Sequence, residues 1–165
     1  MQTLDGYRTT HSDLRQMVDD LRTLLTEEHL RLASNARTAY EQLCDLGEQV
    51  SRHLTEEDHN VFPALLMHED PKVKSIAWGF ISGEGLMRKT FEDYYSRWLK
   101  NCDFNFGGEF LAETGEMFAM VGQRLEREER VLLPKMVEIG MLREAASIKI
   151  PATWARRVRS QAILA

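Results

Sequence analysis

The chain has 165 residues, 43% hydrophobic and 28% charged, with a formal net charge of −5; this suits a single domain with a substantial core and argues against a nucleic-acid-binding surface. No apolar run is long enough to span a bilayer, and Met1-Gln2-Thr3-Leu4-Asp5-Gly6 lacks the basic and apolar regions of a signal peptide. Its two cysteines, Cys44 and Cys102, form no metal-ligand spacing, so a cytoplasmic protein with reduced thiols and no membrane partner is expected.

Thr10 with Asp13 three residues on reads as a capping box opening a first helix near His11. Leu14, Val18, Leu21 and Leu25 continue one apolar face. Thr26 to Asn35 is polar and reads as a frayed end and turn, with Ser34 or Asn35 capping the second helix. Its stripe runs Tyr40, Leu43, Leu46, Val50, His53 or Leu54, Glu57, Val61, and Pro63 should kink its last turn. After the connection His68 to Pro71, the third helix carries Val73, Ala77, Phe80, Glu84, Met87, Phe91, Tyr94 and Trp98 inward. A Gly- and Asn-containing turn over 101–108 leads to a fourth helix with Phe110, Met117, Val121, Arg124, Glu128 and Leu132 on one face and Pro134 near its end. Residues 141–150 are only weakly patterned and read as a further helical turn or two; Pro151 ends it, and Arg156, Arg157 and Arg159 lie in a basic tail. The expected architecture is all-α, an up-down-up-down four-helix bundle over residues 1–150 with a tail over 151–165.

One pattern is written twice. His53-Leu54-Thr55-Glu56-Glu57-Asp58-His59-Asn60-Val61-Phe62-Pro63 recurs as Arg124-Leu125-Glu126-Arg127-Glu128-Glu129-Arg130-Val131-Leu132-Leu133-Pro134. In the first copy, His53 and Glu57 are four residues apart and share one helix face. Bundles assemble metal sites from such inward pairs. The second copy keeps the carboxylate and has Arg124 in place of a histidine. Six ionisable residues thus fall on inward faces: His11, His53, Glu57, Glu84, Arg124 and Glu128. A buried charge costs several kcal/mol unless paired or metal-bound, and imidazole with carboxylate suits iron, manganese or zinc. For any one of them, His11 above all, the plainer reading is a partly exposed residue near a helix end. His29, His59 and His68 read as solvent-exposed.

These residues resemble those of the hemerythrin-like (HHE cation-binding) domain family. The resemblance spans roughly residues 7–140 and rests on His11-Ser12-Asp13-Leu14, on His53 and Glu57 running into Val61-Phe62-Pro63, and on Glu128-Glu129 running into Leu132-Leu133-Pro134. It implies a four-helix bundle with a non-haem di-iron centre, in a family that binds or senses oxygen, responds to redox state, handles nitric oxide or peroxide, or holds iron. By that resemblance His11, His53 and Glu57 match metal ligands, Glu57 as a bridge, and Glu128, or Glu129 beside it, matches the last carboxylate. The third helix offers Glu84 where the family has a histidine; the other register would place Gly85 there. Arg124 replaces the remaining histidine and cannot coordinate a metal.

These residues are compatible with three functions. The first is a metal-binding protein of one or two iron ions, with manganese or zinc as alternatives, that binds or senses oxygen, nitric oxide, peroxide or redox state rather than carrying oxygen. The second is an oxidoreductase reducing one of those ligands at an open metal position. The third is a metal-free bundle acting on a protein partner, its core clamped by Arg124 to Glu84 or Glu128.

Overall fold

The computed structural model describes residues 3–143. Among them the chain forms four long helices, α1 (Leu4–Leu24), α3 (Ala33–Asn60), α5 (Pro71–Tyr94) and α6 (Phe110–Arg127), with the short helices α2 (Glu27–Leu30), α4 (Phe62–Leu66) and α7 (Leu133–Glu138) at their ends. α1 packs on α3 and α6, and α5 packs on the same two, which gives the all-α up-down-up-down bundle. Residues 144–165, including the expected basic tail and most of the weakly patterned 141–150 stretch, lie outside the described residues.

The first helix begins a full two turns earlier than its sequence suggests. Thr3 is the N-cap, its hydroxyl accepting from the Gly6 N–H at 3.1 Å. Leu4 and Tyr7 are buried and extend the apolar stripe upstream of His11. Thr10 is an interior residue whose hydroxyl donates to the Gly6 carbonyl. His11 is therefore one turn beyond Tyr7 in mid-helix, where the bundle covers it, rather than in a solvated first turn. The second long helix likewise starts at Ala33 without a side-chain cap, so neither Ser34 nor Asn35 caps it; the Asn35 amide instead donates to the His29 carbonyl and closes the preceding turn.

Each proline of the repeated pattern ends regular α-helix, in two different ways. Pro63 stands in the first turn of α4, after α3 has stopped at Asn60, because its ring supplies no N–H to continue the ladder. Before Pro134 the chain widens instead into a π-helical turn, Glu128–Leu132, and then resumes as α7. A second π turn, Tyr95–Leu99, continues α5. The extra residue of a π turn rotates the residues beyond it about the helix axis, so Leu99 takes the buried position and Trp98, expected on the stripe, is half-buried. At the far end Gly140 adopts φ 76, and Met141 N–H donates to the Met136 carbonyl, so α7 terminates there.

Two apolar cores result. One is built on Leu14, Val18, Leu21, Leu43, Leu46, Met117 and Val121. The other lies towards the opposite end, on Leu4, Tyr7, Val61, Phe62, Phe80, Leu132 and Met136. Fully burying a side chain of this size contributes about 1.5–3 kcal/mol, so both cores hold the helices in register. Where the two cores meet, every long helix turns at least one ionisable residue inward.

Candidate metal centre

Those intervening residues are His11 on α1, His53 and Glu57 on α3, Glu84 on α5, Arg124 on α6 and Glu128 at the start of the π turn; all are buried. They form a charged layer between two apolar ones. Their positions arise from helix periodicity, because each sits three or four residues from a core residue of either cluster. On α5 the register with Glu84 and Met87 inward is the one adopted, and Gly85 faces solvent.

Within the layer, three residues converge. His53 Nε2 lies 2.9 Å from Glu128 Oε2, and His11 Nε2 lies 3.0 Å from the same oxygen. The two imidazole rings meet edge to face with centroids 5.1 Å apart. One ligand atom from each of His11, His53 and Glu128 falls within 4.8 Å of the others. The His53–Glu128 contact is a hydrogen bond, and spacings of about 3.0 Å are also those of ligand atoms at right angles around an ion at about 2.1 Å.

The orientation of His11 supports this fit. Its Nδ1–H donates to Glu129 Oε1 at 3.0 Å, and Arg15 holds that carboxylate with bonds of 2.6 and 3.1 Å. With the proton on Nδ1, a neutral imidazole turns its Nε2 lone pair towards the site. That nitrogen is buried and lacks an aligned hydrogen-bond partner despite its approach to Glu128. A carboxylate behind a histidine is the arrangement that orients metal-binding imidazoles. Glu128, placed on the inward stripe by the sequence, and Glu129 beside it have separate positions: Glu128 reaches both histidines inside the bundle, and Glu129 holds His11 from the half-buried outer side.

Arg124 fills the other half of the layer. Its Nη2 donates to Glu57 Oε2 at 2.7 Å, its Nε to Glu128 Oε1, and its Nη1 to the Phe80 carbonyl at 3.0 Å. The Phe80 and Phe62 rings lie 4.8 and 5.9 Å from its guanidinium carbon, which adds a cation–π attraction. The clamp therefore joins Glu57 to Glu128; Glu84 Oε2 is 3.9 Å away. Glu84 does not join the histidines. Arg88 on the next turn of α5 grips its Oε1 and also bonds Asp58 at the surface. Glu57 stands between the two halves: Oε2 is on Arg124, while Oε1 is unpartnered and 3.9 Å from His53 Nε2.

The electrostatics reflect this division. Burial and the neighbouring Glu128 charge push the Glu57 carboxyl up to about 7, against the opposing pull of Arg124 and His53. Burial acts upward on Glu128 too, yet the hydrogen bond from His53 and the positive charge of Arg124 hold it well below the usual carboxylate range. Burial disfavours a charged His53, but the bond to Glu128 outweighs it and raises its pKa. The layer carries more carboxylate than Arg124 alone neutralises, and a cation bound by the histidines would restore the balance.

Sequence reasoning did not single out Arg15, Tyr7 or the Phe80 carbonyl. Arg15 was legible as the residue one turn after His11, and Tyr7 as one turn before it. Cavities of about 470 Å³ and 380 Å³ reach Glu129 and Tyr7 respectively, on the two sides of α1. Of the remaining histidines, His29 and His59 are exposed as expected, whereas His68 is half-buried because its Nδ1 accepts from the Asp70 N–H. No described helix is long and apolar enough to cross a membrane.

The model of one protein family, described as the Hemerythrin HHE cation binding domain, matches residues 2–136. No curated protein and no solved structure matches the chain.

Proposed function

The chain belongs to the hemerythrin HHE cation-binding domain family, and from that premise we propose that it is a non-haem iron protein with a single-ion site, binding or sensing a small ligand such as oxygen, nitric oxide or peroxide. His11, His53 and Glu128 would hold the ion, with the free Glu57 oxygen beside them. The observation that carries the reading is the meeting of both Nε2 atoms on one Glu128 oxygen, with His11 held in place from behind by Glu129. Two histidines and one carboxylate form a donor set used by non-haem iron, leaving positions open to an exogenous ligand.

Arg124 sets this site apart from the pair of ions that the resemblance implies. It binds one oxygen of Glu57 and one of Glu128, two carboxylates suited to bridging two metals. A guanidinium stays protonated and only donates, so it takes the second cation's electrostatic role without binding a ligand. Reversible oxygen carriage on two irons does not fit such a site. Sensing or binding by one ion does.

The test is metal content and visible spectrum after purification without chelators, then loading with ferrous iron, manganese and zinc in turn. About one ion per chain, with a spectrum that changes on exposure of the ferrous form to nitric oxide, is the expected result. A second reading, in which the bundle is metal-free and regulates a partner, rests on the Arg124 clamp. Failure to take up any of the three metals would favour it and overturn the first.

A further inference from the structure

We propose that Cys44 and Cys102 are a redox modification site, closed by peroxide into a reversible disulfide within the chain. Both cysteines are free, and they meet at one side chain. The Tyr40 hydroxyl on α3 bonds Cys102 Sγ at 2.8 Å, although the two residues are 62 positions apart. Cys44 lies one turn beyond Tyr40 on the same face of α3, and its thiol also contacts that hydroxyl. Both sulfurs therefore stand against one oxygen atom.

The position of Cys102 is held by specific contacts. Cys102 and Phe104 adopt φ 52 and 53, a left-handed conformation that is costly for any residue with a Cβ. Tyr40 offsets that cost twice: its hydroxyl bonds the Cys102 thiol, and its ring meets the Phe104 ring edge to face at 5.2 Å between centroids. The chain from Cys102 to Gly107 forms no regular structure. The Cys102 sulfur can thus move from the hydroxyl to the bonding distance of about 2.05 Å from Cys44 while α3 stays in place. Among the described residues, no third histidine, cysteine or carboxylate completes a metal site with the two thiols, which leaves thiol chemistry.

The two thiols differ in role. Cys102 is exposed and Cys44 is half-buried, and burial pushes the Cys44 thiol up, so it stays protonated. Cys102 therefore meets peroxide first. Its thiolate attacks one peroxide oxygen: the S–O bond forms, the O–O bond breaks, and the departing hydroxide takes up the thiol's proton as water. Cys102 is then a sulfenic acid. The Cys44 sulfur attacks it next: the S–S bond forms, the S–O bond breaks, and the second hydroxide takes the Cys44 proton. Two thiols are oxidised to one disulfide, and one peroxide is reduced to two waters. Tyr40, whose phenol the bond to Cys102 keeps protonated, touches both sulfurs and can pass that proton. A small-molecule thiol restores the pair by exchange. None of this rests on the metal reading: Cys44 precedes His53 by nine residues, about 13 Å along α3.

The test treats the reduced, full chain with hydrogen peroxide in the presence of a chelator. Both titratable thiols should disappear together, a non-reducing peptide map should join the Cys44 and Cys102 peptides of one chain, and dithiothreitol should reverse both changes. Cys44→Ser should arrest Cys102 as a sulfenic acid that dimedone traps. Cys102→Ser should leave Cys44 unreacted over the same time. Tyr40→Phe should leave the first step unchanged and slow disulfide closure about a hundredfold. Thiols that persist, cysteines oxidised separately to sulfinic or sulfonic acids, or a disulfide formed between chains would overturn the proposal. So would a Cys102→Ser variant in which Cys44 reacts at the parental rate. Closure as fast in Tyr40→Phe as in the parent would overturn the role given to Tyr40.

Discussion

Arg124 and Glu57, 67 residues apart in sequence and both buried, are joined by a 2.7 Å hydrogen bond across the bundle. The bond ties α6 to α3 and places a permanent positive charge beside a carboxylate whose other oxygen faces His53. Removing the guanidinium leaves Glu57 and Glu128 buried without it. Arg124→Ala should destabilise the metal-free protein by about 3–5 kcal/mol, read from urea unfolding of chelator-treated samples. A variant as stable as the parent would show that the clamp carries no stability.

The same contact makes a second prediction about stoichiometry. Arg124→His replaces a donor-only group with a ligand at the position where the repeated pattern has His53. Metal content should rise from about one to about two ions per chain, measured by elemental analysis after iron loading. Unchanged content would mean that the Phe80 and Phe62 side chains leave no room for a second ion.

His53→Ala removes a nitrogen that meets Glu128 at 2.9 Å. Excess metal should raise the parent's thermal midpoint and leave the variant's unmoved, since a ligand at about 100 times its Kd stabilises by about 2.7 kcal/mol only if it binds. Equal shifts in the two proteins would exclude His53 from the site.

Glu129 acts on the ion only through His11. Glu129→Ala should lower metal affinity about 10- to 100-fold without abolishing binding, as read by competition with a chromophoric chelator. Arg15→Ala, which frees Glu129, should lower it in the same direction by less. Affinity unchanged in both would reduce this pair to a surface ion pair.

Glu84→Gln separates the two halves of the charged layer. Because Arg88 holds the Glu84 carboxylate and the histidines are not in its reach, metal content should stay at the parental value. A loss of metal would place Glu84 back among the ligands, as its position on the inward stripe suggests.

The apolar stripes, the four long helices and the inward placement of His53, Glu57, Glu84, Arg124 and Glu128 were legible because they depend on periodicity along one helix. So was the family, because its histidines and glutamates stand at fixed distances from prolines in the same chain. The contacts of each buried group were not legible. That Glu128 meets two histidines while Glu129 supports one of them depends on how α1 packs against the π turn after α6. That Arg124 reaches Glu57 while Glu84 turns to Arg88 depends on the relative rotation of α3, α5 and α6. Periodicity specifies which face of a helix is inward, with a tolerance of tens of degrees; hydrogen bonds and metal coordination are decided within tenths of an ångström. Only the packed bundle sets distances on that scale.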